Sequence, residues 1–70
     1  MKYFFLSMQC PHTQRFINIG DFKQLDDAVR YADNVPYYTR IKECTEDRSS
    51  VIIEGNLFGM YNEFKLALGN

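Results

Sequence analysis

Apolar and polar residues alternate at the start of the chain, which is the pattern of β-strands with one buried face. In residues 2–10 (KYFFLSMQC) the two faces are Phe4, Leu6, Met8 and Cys10 on one side, and Tyr3, Phe5, Ser7 and Gln9 on the other. A short polar connection follows at residues 11–14, and the alternation resumes in residues 15–20 (RFINIG). The two segments predict a β-hairpin.

The spacing of apolar residues changes to three and four between residues 25 and 34. The residues at this spacing are Leu25, Ala28, Val29 and Ala32, which fall on one face of a helix. Asp26 and Asp27 stand in the first turn, where the exposed N–H groups stabilise carboxylates, and Pro36 follows the end. This segment predicts the clearest helix of the chain.

The second half of the chain repeats this order of elements. Residues 37–44 (YYTRIKEC) alternate, with Tyr37, Thr39 and Ile41 opposed to Tyr38, Arg40, Lys42 and Cys44. Polar residues 45–50 predict a turn, and residues 51–54 (VIIE) predict the partner strand of a second hairpin. Asn56 is placed to cap a second helix and Gly69 to close it. Its apolar stripe would be Leu57, Met60, Tyr61, Phe64 and Leu68.

These elements predict an α+β fold with the order ββαββα. Two hairpins and two helices favour a four-stranded antiparallel sheet with at least one helix packed on a face. The 70 residues allow one small domain, residues 1–70, because domains usually have about 50 residues or more.

Composition and charge exclude several classes of function. Eight Lys and Arg against nine Asp and Glu give a net charge of −1, which lacks the basic excess that binding to duplex nucleic acid needs. The apolar run at residues 3–6 is too short for a signal peptide or a spanning helix. We therefore expect a soluble cytoplasmic protein with no membrane partner, and its two cysteines in the reduced state.

The residues that could carry chemistry are few. Cys10, His12 and Cys44 are the soft metal ligands, but a structural zinc site needs four ligands, usually in closely spaced pairs. A Cys10–His12 nucleophile pair would need an orienting third group and an oxyanion hole, which the sequence does not indicate. We expect no metal, no cofactor and no catalytic residue, and hence a protein that is not an enzyme.

One predicted sheet face combines aromatic and basic residues: Tyr3, Phe5, Tyr38, Arg40 and Lys42. Such a face can stack the bases of single-stranded nucleic acid. Alternatively, the second helix covers it, and Phe5 and Tyr38 belong to the core. In a third interpretation the face stays open and docks onto a protein, since Tyr, Phe and Arg are enriched at interface centres. The near-neutral charge makes nucleic acid the less favoured partner.

The segment at residues 22–32 (FKQLDDAVRYA) follows a predicted strand with Phe22, then a Leu-acid-acid-Ala sequence and a second alanine, Ala32, four residues on. This arrangement resembles small phage-encoded inhibitor proteins, including host RNA polymerase inhibitors and anti-CRISPR proteins. The resemblance implies a compact protein that acts by occupying a surface of a larger one, and it assigns no functional residue.

The leading hypothesis is a non-enzymatic protein-binding domain, phage-encoded, that blocks a bacterial protein or protein complex by steric occupation. The alternative is a single-stranded nucleic-acid-binding domain that uses the same aromatic and basic face. A third candidate is a homodimer joined through strand edges or through that face.

Overall fold

The structure, a computed structural model, describes residues 1–67. Its elements are β1 (Tyr3–Gln9), β2 (Phe16–Phe22), α1 (Leu25–Ala32), β3 (Tyr38–Cys44), β4 (Ser49–Asn56) and α2 (Tyr61–Ala67). The order ββαββα and the α+β class are those predicted from the sequence.

The four strands form one antiparallel sheet in the order β2-β1-β3-β4. The strands β1 and β3 are central, and β2 and β4 are the edges. Leu6 of β1 lies opposite Ile41 of β3, and both side chains are fully buried. Because directly opposite residues in antiparallel strands share a face, this pair marks the buried side of the sheet.

Each edge strand carries one extra residue. In β2, Gly20 pairs with Leu6 and Asn18 with Ser7, so Ile19 is a bulge. In β4, Ile53 pairs with Ile41 and Val51 with Lys42, so Ile52 is a second bulge. Bulges bend an edge and interrupt its row of free hydrogen-bonding groups, which disfavours pairing of the edge with another chain.

The core lies between the sheet and α1. Its buried members are Phe4, Leu6, Ala28, Val29, Ala32, Ile41 and Leu57. The three buried residues of α1 are those whose spacing predicted the helix. Thr39 is also fully buried, and its hydroxyl donates a hydrogen bond to the Gly55 carbonyl oxygen at 3.0 Å, which satisfies its polar group.

The second helix packs on the same side of the sheet as the first. Tyr61 and Phe64 of α2 contact the core cluster. The Tyr61 hydroxyl donates to Asp26 Oδ1 at 2.7 Å and accepts from Arg30 Nη2 at 3.2 Å, which ties α2 to α1. Within residues 1–67, neither helix covers the other face of the sheet, so the interpretation of Phe5 and Tyr38 as core residues is wrong.

The start of α2 differs from the prediction. Asn56 is the last residue of β4, and its side-chain oxygen accepts a hydrogen bond from the Phe58 N–H at 3.2 Å instead of capping a helix. A turn at Gly59, with φ +73°, follows before the helix begins at Tyr61. The cap comes from Asp33, just after α1, whose Oδ1 accepts from the Tyr61 N–H at 2.9 Å. The predicted stripe and stop residues Leu68 and Gly69 lie outside the described residues.

Candidate binding surface

The sheet face opposite the helices carries all five residues that the sequence singled out. Alternation places them there, because Phe4 and Leu6 of β1 and Thr39 and Ile41 of β3 point into the core. We call this side the open face, and its residues include Tyr3, Phe5, Phe16, Tyr38, Arg40 and Lys42. The role of these residues in binding stays a prediction.

The open face is unevenly exposed to solvent. Tyr38 is 41% exposed and Lys42 is exposed, whereas Tyr3, Phe5 and Arg40 are partly buried by their neighbours on the sheet. Tyr38 and Lys42 are therefore the more accessible of the five residues, and Tyr3, Phe5 and Arg40 are the less accessible.

Arg40 is fixed by contacts on both sides. Its guanidinium carbon lies 3.8 Å from the centroid of the Phe16 ring, on β2. On the other side, Arg40 Nη2 donates to Glu54 Oε2 of β4 at 3.3 Å. Ser7 stands opposite Arg40 on the intervening strand, and its small side chain leaves room for the arginine to reach Phe16. The guanidinium is therefore held by cation–π stacking and an ion pair, both with favourable energies.

Phe16 also contacts a second residue of the open face. The Phe16 and Tyr38 rings form an edge-to-face pair with centroids 6.1 Å apart and planes at 70°. Tyr38 is only partly covered, and this partial desolvation, followed by the nearby Glu54 carboxylate, raises the pKa of its phenol. Phe16, Tyr38, Arg40 and Glu54 thus form one connected group across the sheet, which we call the Arg40 cluster.

Sequence reasoning missed two members of this cluster, Phe16 and Glu54. The signal for Phe16 is present in the sequence, because alternation in residues 15–20 puts Ile17 and Ile19 on one side of the second strand and Phe16 on the other. What the sequence did not indicate is the register that sets Phe16 opposite Gln9 and Glu54 opposite Arg40. That register includes both bulges.

The charges on the open face balance. Arg40 and Lys42 are its cations, and Glu54 and Asp21 are carboxylates on the same side, since Asp21 lies opposite Phe5 and Glu54 opposite Arg40. Of the two cations, Arg40 is already paired with a carboxylate. The face therefore offers little net positive charge to a polyanion.

No protein-family model, curated protein or solved structure matches this chain. The case for a function therefore depends on the chemistry of the surface. Among residues 1–67, no helix is both long enough and apolar enough to cross a membrane.

The two cysteines lie at opposite ends of β1. Cys44 is opposite Tyr3, where β1 begins, and Cys10 follows Gln9, where it ends. Seven strand residues span roughly 23 Å, far beyond the reach of a disulfide within one chain.

Hydrogen bonds from the loop, first from the backbone N–H of Thr13, lower the pKa of the Cys10 thiol. Within the described residues, no three His, Cys, Asp or Glu side chains converge as a metal site would require.

A polar depression lies beside the turn that joins β3 and β4. Glu43 and Ser50 stand opposite each other there. The full lining is Glu43, Thr45, Asp47, Arg48 and Ser50. The Thr45 N–H donates to the Arg48 carbonyl oxygen at 2.9 Å, so the loop satisfies its own backbone groups. The depression lacks the apolar lining that small-molecule sites usually have, and it is separate from the Arg40 cluster.

Proposed function

We propose that this protein is a non-enzymatic protein-binding domain whose open face docks onto a larger bacterial protein or protein complex in the cytoplasm. The observation that carries the proposal is the Arg40 cluster, an aromatic and arginine group held in place on a sheet face that the two helices leave uncovered. We further propose that it acts by steric occupation, as its resemblance to small phage-encoded inhibitors implies.

The composition of the open face supports a protein partner. Tyr, Phe and Arg are enriched in the buried cores of protein interfaces, and Tyr and Arg are among the residues that most often supply the binding energy there. Charged side chains are costly at such centres unless they are paired. Arg40 is paired with Glu54 through Nη2 before any partner arrives, while its Nε is buried without a hydrogen-bond partner within the described residues.

The rigidity of the cluster supports the same partner class. Ordering a long side chain on binding costs roughly 0.5–1.5 kcal/mol. Stacking on Phe16 and pairing with Glu54 already restrict Arg40, so part of that cost is met on folding. A face organised in this way can bind without first rearranging its central side chains.

Single-stranded nucleic acid is the second candidate, because Tyr3, Phe5 and Tyr38 could stack on bases with Lys42 near a phosphate. Arg40 weighs against it, since its guanidinium is neutralised by Glu54, and Asp21 adds a further carboxylate to the face. The two candidates differ in their salt dependence. Binding to nucleic acid weakens steeply as salt rises, whereas docking onto a protein through this neutral face should change little.

The test is affinity capture from bacterial lysate with three matched variants, each checked for its fold by circular dichroism. Tyr38→Ala and Arg40→Ala alter the open face, and Tyr31→Ala is the control, because Tyr31 is 48% exposed on α1 on the opposite side. We expect a stoichiometric, nuclease-resistant complex that Tyr31→Ala retains. Each open-face variant should lose about 2 kcal/mol of binding, or roughly 30-fold in Kd.

Two results would refute the proposal. If both open-face variants bound the captured protein as tightly as wild type, the docking surface would lie elsewhere. If the captured material were nucleic acid that nuclease removed, and its binding fell steeply with salt, the second candidate would replace the first.

A further inference from the structure

A row of three residues crosses the open face, with an aromatic residue between an acidic one and a basic one. Phe5 of β1 lies directly opposite Asp21 of β2 and directly opposite Lys42 of β3. Asp21 and Lys42 therefore flank Phe5 on the two neighbouring strands, each about 4.8 Å away across the sheet. Both charged residues are exposed, and neither takes part in an ion pair within residues 1–67.

This row is complementary to itself. Consider a two-fold axis that runs parallel to β1 and passes over Phe5. It places Asp21 of each copy over Lys42 of the other, so the dimer contains two such pairs. A two-fold axis across the strands would instead bring Asp21 over Asp21 and Lys42 over Lys42, which is repulsive. The order of charges therefore selects one of the two symmetric ways of stacking this face on itself.

The same axis also matches the aromatic residues. Phe16 of β2 lies opposite Gln9, and Tyr38 of β3 lies beside the Thr39–Met8 pair, so these two rings flank the far end of β1. The axis along β1 brings Phe16 of each copy over Tyr38 of the other. Stacked sheets lie about 10 Å apart, a distance that a lysine and an aspartate side chain together can span.

We propose that a second copy of this chain covers the open face, in a face-to-face dimer held by Asp21–Lys42 pairs around Phe5. The inference goes beyond the proposed function, because the dimer would cover the same face that docks onto the larger protein and would therefore compete with that partner. The bulges at Ile19 and Ile52 disfavour a dimer joined through strand edges, so the face is the better site for a second copy.

The size of the face indicates the class of interface that the dimer would form. Four strands about 4.8 Å apart and seven residues of about 3.3 Å give a footprint of roughly 20 by 23 Å. Standard interfaces bury roughly 800 Å² on each partner, so this contact falls in the weak, transient class. A contact of this class is expected to dissociate on dilution. At high protein concentration the dimer would cover the open face. Dilution, or competition from the larger partner, would expose that face again.

Sedimentation equilibrium over a wide concentration range tests the proposal with charge-reversal variants. Lys42→Asp and Asp21→Lys each replace two attractions with two repulsions, and each should raise the Kd of dimerisation by about 10-fold or more relative to wild type. An equimolar mixture of the two variants should dimerise again, because each copy then supplies what the other lacks. The double variant should dimerise alone. Lys2→Asp is the control, because Lys2 pairs with Glu43 and lies off the open face.

Circular dichroism first establishes that each variant is folded, and recovery of the dimer in the mixture confirms it, since variants that had lost their structure could not restore each other. The proposal is overturned if the wild type stays a monomer at every concentration, if both single variants dimerise as the wild type does, or if mixing restores nothing. A monomeric protein that still captures its partner through Tyr38 would overturn the dimer alone. If the protein dimerises as proposed but capture of the partner does not depend on Tyr38, the proposed function alone would be overturned.

Discussion

The cap of the second helix comes from a residue far away in sequence, and removing it should destabilise the protein measurably. Asp33 lies just after α1, and its Oδ1 accepts the Tyr61 N–H at 2.9 Å where α2 begins. Asp33→Ala leaves that N–H without its partner. Losing a side-chain cap of this kind costs about 1 kcal/mol, within a range of roughly 0.5–2. Because Tyr61 packs against the core, the loss should reach the whole domain.

The expected change in thermal midpoint follows from the size of the chain. An unfolding entropy of about 2.1 cal/mol/K per residue gives about 0.15 kcal/mol/K here, so 1 kcal/mol lowers Tm by about 7 °C. Asp33→Asn should lie within about 0.5 kcal/mol of wild type, because asparagine caps as well as aspartate does. The charge that it removes helps the start of α2 and opposes the end of α1, so the two effects offset each other.

Asn56→Ala is the matched comparison, because the sequence pattern assigned the cap to Asn56. In the structure its oxygen accepts from the Phe58 N–H at 3.2 Å in an exposed turn, so we expect a loss of no more than about 0.5 kcal/mol. Urea denaturation followed by circular dichroism measures all three variants. A larger loss for Asn56→Ala than for Asp33→Ala would refute the assignment of the cap.

Three further outcomes are expected. Ile41→Val should lower the free energy of unfolding by about 1 kcal/mol in urea, because Ile41 is fully buried, and an unchanged midpoint would contradict its place in the core. The backbone N–H of Thr13 lowers the pKa of Cys10, so the pH profile of its alkylation, measured in Cys44→Ser, should have its midpoint below that of an ordinary thiol. Partial desolvation and the Glu54 carboxylate raise the pKa of Tyr38, so the difference in ultraviolet titration between wild type and Tyr38→Phe should show a midpoint above that of free tyrosine. The folded state binds the proton of the Tyr38 phenol more tightly than the unfolded chain does. The stability that this proton contributes is therefore lost as pH rises through the Tyr38 midpoint.

The sequence was sufficient for the elements whose signals are local. The spacing of Ala28, Val29 and Ala32 defines a helix face whichever partner it meets, and alternation separates Leu6 from Phe5 before any pairing is known. The same alternation grouped Tyr38 with Arg40. These patterns depend on the geometry of a single element, which is why they survive into the structure.

The remaining features depend on contacts between distant segments. Asn56 suits a helix cap and a turn equally well, and the choice was decided by Asp33, 28 residues from the N–H that it caps. The contacts of Arg40 with Phe16 and Glu54 require the register of four strands, which two bulges shift. Which face of the sheet the helices cover also depends on packing between distant segments, and the pattern of a single element does not indicate it.

The most direct test of a protein-docking open face is photo-crosslinking in bacterial cells. A benzophenone amino acid would replace Tyr38 on the open face or, as the control, Tyr31 on α1, since both positions are exposed and already hold an aromatic ring. The account predicts a crosslink from position 38 to a larger protein, with none from position 31. A protein crosslink from position 31 and none from position 38 would contradict it.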